Sequence, residues 1–348
     1  MEKKLMFSVV ADPHLSDKNV SEVEAAMRLS IDKTAEKGVE LLFVIGDIFT
    51  DRKTQSFNTM QAFTRILDYA HNKSVSLMCI PGNHDKIDYT SKKSYLDIYR
   101  WHPAMDLETG VGQMTLDTGW VIFQLPFFRE KDALLPYLEE LNGMEIPKKS
   151  VLLTHLSIDG VRNNDGSEIS GTLPRDTFKK FDKVLVGHYH DKQEFNNITY
   201  IGSLLQNNFG EDTNKGITYF YADGSMEQES LAESLFLTVD VDLNDTTKAK
   251  ITNLIKKHEG TVDKIRFRFE GSKEKFKNVP KSLIESKGIK VTFKEEKVET
   301  VTVDAEVADN FAAFTKTSIL EEWDGYCEKD DERKEFHKEG KKILEETL

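Results

Sequence analysis

The sequence predicts a layered α/β fold, two sheets packed face to face with helices outside, followed by a smaller α/β unit and a helical tail. Three observations carry this. Over the first 190 residues, apolar β-rich runs alternate with amphipathic helical stretches. From about Thr199 to Ala222 the pattern becomes short strands with turns, which fits a second sheet packed on the first. After a polar stretch at Met226–Leu235, the α/β alternation resumes on a smaller scale.

Taken in order, the strand candidates of the large unit are Leu5–Val10, Leu41–Ile45, Ser76–Ile80, Val121–Leu125, Val151–Thr154 and Lys183–Val186. Ser21 and Glu24 have the spacing of a capping box that opens a helix, and Gly38 closes it. A second helix shows Met60, Phe63, Ile66, Leu67 and Ala70 at intervals that put them on one buried face. In the smaller unit, strands at Phe236–Val241, Ile265–Phe269 and Ile289–Phe293 enclose helices near Thr247–His258 and Ser282–Lys287. Beyond Val303, Ser318 and Glu321 form another capping pair, with Ile319, Trp323, Tyr326 and Cys327 on one face. A last helix carries Phe336, Ile343, Leu344 and Leu348 amid dense charge. The domain boundaries expected are 1–230, 231–300 and 301–348.

Composition narrows the function. The 348 residues carry a net charge of -13, which argues against strong nonspecific nucleic-acid binding by this chain alone. About half of that excess sits beyond residue 299, where 14 acidic residues face 7 basic ones. Bound divalent cations would offset negative charge where a phosphate approaches. The two cysteines, Cys79 and Cys327, make no disulfide framework and suit a reducing compartment. The apolar run Leu5–Val10 is too short for a signal peptide, and no stretch approaches the roughly 20 apolar residues of a membrane span. A cytoplasmic location without membrane attachment is expected.

Five polar clusters each follow a strand: Asp12-Pro13-His14, Gly46-Asp47, Gly82-Asn83-His84-Asp85, Thr154-His155 and Gly187-His188-Tyr189-His190. In open α/β sheets, loops leaving the carboxyl ends of strands converge on the ligand site. Any one cluster is a common local pattern, since a buried histidine is usually core and Gly-Asn is a turn former. Five in order, holding five of the nine histidines, point to one site. Two cations about 3.5–4 Å apart repel each other, and a bridging carboxylate lowers that cost. Asp47, closing an apolar strand behind a glycine, suits the bridge. Asp12 and His14, two residues apart, can grip one ion. Asn83 offers a neutral oxygen, and His155, His188 and His190 offer imidazoles. Mixed N/O ligation favours Mn²⁺, Fe²⁺ or Zn²⁺ over Mg²⁺ or Ca²⁺, and the lack of thiolates argues against redox or structural zinc chemistry.

These motifs (D-x-H, G-D, G-N-H-D, a lone His, G-H-x-H) resemble those of the calcineurin-like metallophosphoesterase superfamily. The resemblance implies a four-layer β-sandwich flanked by helices. It also implies a first metal held by Asp12, His14, Asp47 and His190 and a second by Asp47, Asn83, His155 and His188. His84 would be the catalytic histidine that binds no metal, with Asp85 orienting it. Within the superfamily the chain looks most like the SbcD-type DNA nucleases of the Mre/SbcD family. Asp159-Gly160, Glu168–Pro174, Tyr200-Ile201-Gly202-Ser203, Phe209-Gly210-Glu211 and Lys215-Gly216 carry that likeness. The small α/β unit then stands for the family's DNA-binding cap.

This resemblance implies a Mn²⁺-dependent 3′–5′ exonuclease and single-strand endonuclease, with Fe²⁺, Zn²⁺ or Mg²⁺ as substitute ions. Its work would be double-strand-break repair, as a homodimer on DNA with an SbcC-like ATPase of the SMC/ABC type. The tail would dock that ATPase through Phe311, Phe314, Ile319, Trp323 and Tyr326. The short chain and reduced cap suit a phage-encoded version, whose location would be the host cytoplasm. Two positions depart from the family's habit. Thr50 stands where many relatives carry His or Asp, a position that assists exonuclease action in some of them, and Leu204 stands where Pro is common. Two other functions compete: a stand-alone phosphodiesterase acting on small nucleotides or phosphoproteins, and a catalytically dead scaffold of the same fold. The residues after the catalytic core count against the first, and the complete motif set counts against the second.

Overall fold

All six apolar runs of the large unit form strands in the computed structural model. It describes residues 3–295 apart from 130, 164–165, 170–172, 232–235, 259 and 261–263, and beyond them residues 323, 337, 341 and 342. The chain divides into two compact units, Met1–Glu295 and Glu296–Leu348.

The first sheet holds β1 (Leu5–Val10), β2 (Leu41–Ile45), β3 (Ser76–Ile80), β4 (Met105–Leu107), β11 (Ile217–Tyr221) and β12 (Met226–Glu229). Their order across the sheet is β12-β11-β1-β2-β3-β4. From β1 to β4 all pairings are parallel, and β11 is antiparallel to β1. The second sheet holds β5 (Gly112–Thr115), β6 (Val121–Leu125), β7 (Ser150–Thr154), β8 (Lys183–Val186), β9 (Gln193–Phe195) and β10 (Ile198–Tyr200). Its order is β5-β6-β7-β8-β10-β9. The Thr199–Ala222 segment therefore does not make the second sheet by itself, as the sequence suggested. Its first strand joins β8 and its second joins β1, because the intervening loop crosses from one sheet to the other.

The central strands are apolar on both faces because both faces are covered. Phe7 and Val9 point between the sheets and meet Phe43, Ile45, Ile122, Leu153 and Phe220. Val10, Leu42 and Val44 point the other way, against helices α1 (Val20–Glu36) and α2 (Phe57–Asn72). On the far side, Phe123, Leu152 and Val184 pack beneath α3 (Lys131–Gly143). The result is four layers, helix-sheet-sheet-helix. Sequence pattern alone does not single out α3, where Pro136 interrupts the helical signal.

The expected Ser21–Glu24 capping box does not form. Asn19 is the N-cap, its carboxamide turned back to Ser16 and to the His14 carbonyl at 2.8–2.9 Å. Glu24 instead grips Arg65 of α2 through contacts of 2.6–3.2 Å. Gly38 does end the helix, at φ +74° with its N–H on the Ala35 carbonyl.

The smaller α/β pattern forms a parallel sheet, β13 (Phe236–Asp242), β14 (Lys264–Gly271) and β15 (Ile289–Glu295). Helices α4 (Lys248–His258), α5 (Lys273–Lys277) and α6 (Lys281–Glu285) accompany it. Phe267, Phe269, Ile251, Ile255 and Ile284 give it a core of its own.

Candidate metal centre

The five polar clusters leave the carboxyl ends of β1, β2, β3, β7 and β8, so the parallel pairing brings them to one edge of the sandwich. The loops after β1 and β2 are zipped together: Asp12 N donates to Gly46 O, His14 N to Asp47 O and Leu15 N to Ile48 O, at 2.8–3.1 Å. This forces unusual backbone. Asp12, His14, Asp47 and His188 all have positive φ, at 51°, 50°, 53° and 89°. Such strain costs on the order of 1–3 kcal/mol per residue and persists only where packing over-determines it. Each fully buried Phe or Ile of the sandwich core contributes roughly 1.5–3 kcal/mol, so the core outweighs the strain.

Side chains then converge on one buried site. His155 Nδ1 donates to the Ile45 carbonyl at 2.9 Å, which turns Nε2 into the site. There Nε2 faces Asn83 Oδ1 at 3.1 Å and Asp47 Oδ1 at 3.3 Å. His188 Nδ1 approaches the same Asn83 oxygen at 2.8 Å. On the other side, His190 Nδ1 faces the buried Glu211 carboxylate at 2.8 Å, which turns Nε2 into the site. His14 Nε2 sits 3.0 Å from it, 3.7 Å from Asp47 Oδ2 and 4.0 Å from Asp12 Oδ1. Imidazole nitrogens, two carboxylates and a carboxamide oxygen converging in a buried site make a donor set suited to divalent cations. Ligand atoms about 2.1 Å from a shared ion lie roughly 3–4 Å apart, which is the spacing found.

The two Asp47 oxygens face the two groups separately, Oδ1 toward His155 and Oδ2 toward His14. That is the geometry of a bridging carboxylate. Among the described residues, Asp12, His14 and His190 form one potential ion-holding trio, Asp47, His155 and His188 a second, and His14, Asp47 and His84 a third. Asn83 Oδ1 stands beside the two histidines of the second trio.

Burial shapes the electrostatics. It pushes His14 and His188 down to about 3, so both are neutral at neutral pH. It also drives the Asp12 carboxyl up to about 7, a cost that a bound cation would relieve. For His155, burial works against the charge, yet the neighbouring Asp47 carboxylate prevails and lifts it to about 9.

His84 reaches the site from its mouth, with Nε2 3.9 Å from Asp47 Oδ2. Its backbone N–H donates to Asp47 Oδ1 at 2.8 Å, while its ring is half-buried at the mouth of the site. Nδ1 faces the Thr50 carbonyl at 2.5 Å, and Nε2 meets Arg52 Nη2 at 2.6 Å. The family resemblance implied that Asp85 orients this ring. Instead Asp85 is fully buried, and its carboxylate accepts N–H bonds from Phe49 at 3.0 Å and Gly82 at 2.8 Å. It ties the Asn83–His84 loop to the loop after β2, and so acts on His84 only through the backbone. Thr50, the departure from the family's habit, spends its hydroxyl on the His14 carbonyl.

Two residues at the site had no role assigned from sequence. Glu211 lies in a segment noted only for its family likeness, and Arg52 lies in an ordinary polar stretch. Arg52 has no periodic or motif signal. For Glu211 the one available hint is its place in the Phe209-Gly210-Glu211 likeness, 21 residues beyond His190. Of the expected tail contacts, Phe311, Phe314, Ile319 and Tyr326 lie outside the described residues. Trp323 is half-buried, and its Nε1–H donates to the His337 carbonyl at 3.3 Å.

The family described as Calcineurin-like phosphoesterase matches residues 5–192. The D component of the nuclease SbcCD from Staphylococcus epidermidis is 27% identical over 199 residues, 49% of this chain and 52% of the relative. That of Staphylococcus saprophyticus is 26% identical over 196 residues, covering 49% and 52%. The first of the exonuclease subunits of Enterobacteria phage T4 is 24% identical over 180 residues, covering 51% of each. The matched region thus spans about half the length of each relative.

Proposed function

Because this chain belongs to the calcineurin-like phosphoesterase family, we propose that it is a dimetal phosphodiesterase acting on DNA. We assign it 3′–5′ exonuclease and single-strand endonuclease activity in double-strand-break repair, as a homodimer with an SbcC-like SMC/ABC-type ATPase. The ions are Mn²⁺, with Fe²⁺, Zn²⁺ or Mg²⁺ able to substitute, and the setting is the cytoplasm, that of the host if the gene is a phage's. The observation that carries the phosphodiesterase reading is the convergence of imidazole nitrogens and Asn83 Oδ1 on the two Asp47 oxygens, with His84 at the mouth of the site. The nuclease reading is supported by relatives named as nuclease and exonuclease components. The partner reading is supported by the staphylococcal relatives' naming as one component of SbcCD. No helix among the described residues is long and apolar enough to cross a membrane.

Asp12, His14, Asp47 and His190 would hold one ion, and Asp47, Asn83, His155 and His188 the other. When bound, such a pair polarises a phosphodiester and brings the pKa of a coordinated water toward neutrality. The rest falls to the chain's own groups. With the His84 proton fixed on Nδ1 by Thr50, Nε2 is the atom presented to substrate. Arg52 caps it, and a phosphate that draws the guanidinium away frees Nε2 to take a proton from water and pass it to the leaving oxygen. The tail, through Phe311, Phe314, Ile319, Trp323 and Tyr326, docks the ATPase's coiled coil.

The test uses the Mn²⁺-loaded protein on end-labelled single-stranded and duplex DNA, with and without the ATPase, against bis-p-nitrophenyl phosphate. DNA is cleaved, and His84→Ala lowers cleavage by about 10²–10⁴-fold while metal content stays at wild-type level. Intact DNA alongside hydrolysed bis-p-nitrophenyl phosphate would overturn the DNA assignment. Metal loss in His84→Ala would overturn the division of roles.

A further inference from the structure

A second cavity, of about 420 Å³, opens beside the ion-holding residues and shares Arg52, Asn83 and His188 with the pocket that contains them. Its size falls within the usual range of small-ligand sites. Unlike its neighbour it has an aromatic and aliphatic wall, chiefly Tyr89, Phe127, Phe128 and Leu156, faced by polar groups that include Ser157 and Arg129. Such a wall with a few polar groups opposite suits a ligand that has an apolar face and polar edges.

The wall is held rigidly. Phe127 N donates to Pro81 O at 3.0 Å, just ahead of the Asn83–His84 loop. Lys86, fully buried two residues after His84, donates to Phe127 O at 2.7 Å and Ser91 O at 3.1 Å, with its ammonium 3.9 Å from the Phe128 ring centre. A buried lysine thus acts as a strut between the catalytic loop and the aromatic wall. The Tyr89 ring stands edge-on to Phe127 at 5.6 Å, and the Phe127 ring lies 5.9 Å from that of His188. The aromatic surface therefore runs directly up to the ion-holding histidine.

Resting on the nuclease reading, we propose that this cavity receives the base of a nucleotide flanking the scissile phosphate. The phosphate lies over the Asn83–His188 edge while its base stacks against the Tyr89–Phe127 wall. Arg129, whose guanidinium lies 5.6 Å from the Tyr89 ring centre, is placed at the polar rim of the base. A base can enter only after leaving the duplex stack, which selects unpaired strands and frayed ends.

The test compares labelled single strands that are intact with strands carrying a tetrahydrofuran abasic residue at each position flanking the cleaved bond. In the wild type, one abasic position lowers kcat/KM roughly tenfold or more, and the other leaves it nearly unchanged. Ser157→Trp, which fills the cavity, and Tyr89→Ala, which removes a wall, cut intact strands as poorly as the wild type cuts the abasic strand. Both keep the wild-type metal content. Equal cleavage of intact and abasic strands by the wild type overturns the proposal, as does full discrimination in both variants. If the wild type cleaves no strand yet hydrolyses bis-p-nitrophenyl phosphate, the DNA reading itself has failed, and this proposal with it.

Discussion

Glu211 makes the position of His190 a matter of chemistry rather than of loop packing. Its buried carboxylate accepts the Nδ1–H hydrogen bond and so turns Nε2 toward His14 and Asp12. Carboxylates behind ligating histidines tune orientation and basicity, and their loss typically costs 10–100-fold in metal affinity. Glu211→Gln is therefore expected to weaken one of two ions by about that factor and spare the other, which calorimetric titration with Mn²⁺ would resolve as two unequal sites. Equal weakening of both, or none, would contradict this. At this scale the sequence is informative where residues cluster and uninformative where they meet only in space. Asp12, Asp47 and His155 stand out because each follows an apolar run. Glu211 and Arg52 reach the site from loops whose path no local pattern encodes. Asp85 is recognisable as a site residue, but its backbone partners, Phe49 and Gly82, are not.

The elements are legible in proportion to how fully they are buried. The β1, β2, β3, β6, β7 and β8 runs are continuous apolar segments, and all are evident. Short edge strands such as β4, β5 and β9 span only three or four residues and alternate weakly, so no period emerges from them. The split of β10 and β11 between sheets depends on a long crossover, which local pattern cannot settle. What the elements do for the site is concentrated at their ends. Gly46 sits between β2 and Asp47 at φ +90°, and a Cβ built on it would collide with the His155 ring. Gly46→Ala should therefore displace a histidine as well as strain the turn. The expected outcome is a lowered Tm and binding of fewer than two ions per chain. A variant with wild-type Tm and metal content would show that the turn has slack the packing does not suggest.

Over the whole chain, net charge and local charge part company. The molecule carries -13, yet Lys18, Arg52 and Lys264 line the pocket that holds His14, Asp47 and His84. Lys264 comes from β14 of the smaller sheet, so the two patterns read separately in the sequence contribute to one pocket. An acidic chain can in this way present a basic rim where a phosphate arrives, once cations neutralise the carboxylates beneath. The account rests on those cations, and anomalous scattering from crystals grown with Mn²⁺ would test it directly. Two peaks about 3.5–4 Å apart, with Asp47 between them and the Asp12–His190 and Asn83–His188 groups on either side, are the predicted result. A single peak, or two that do not share Asp47, would contradict it.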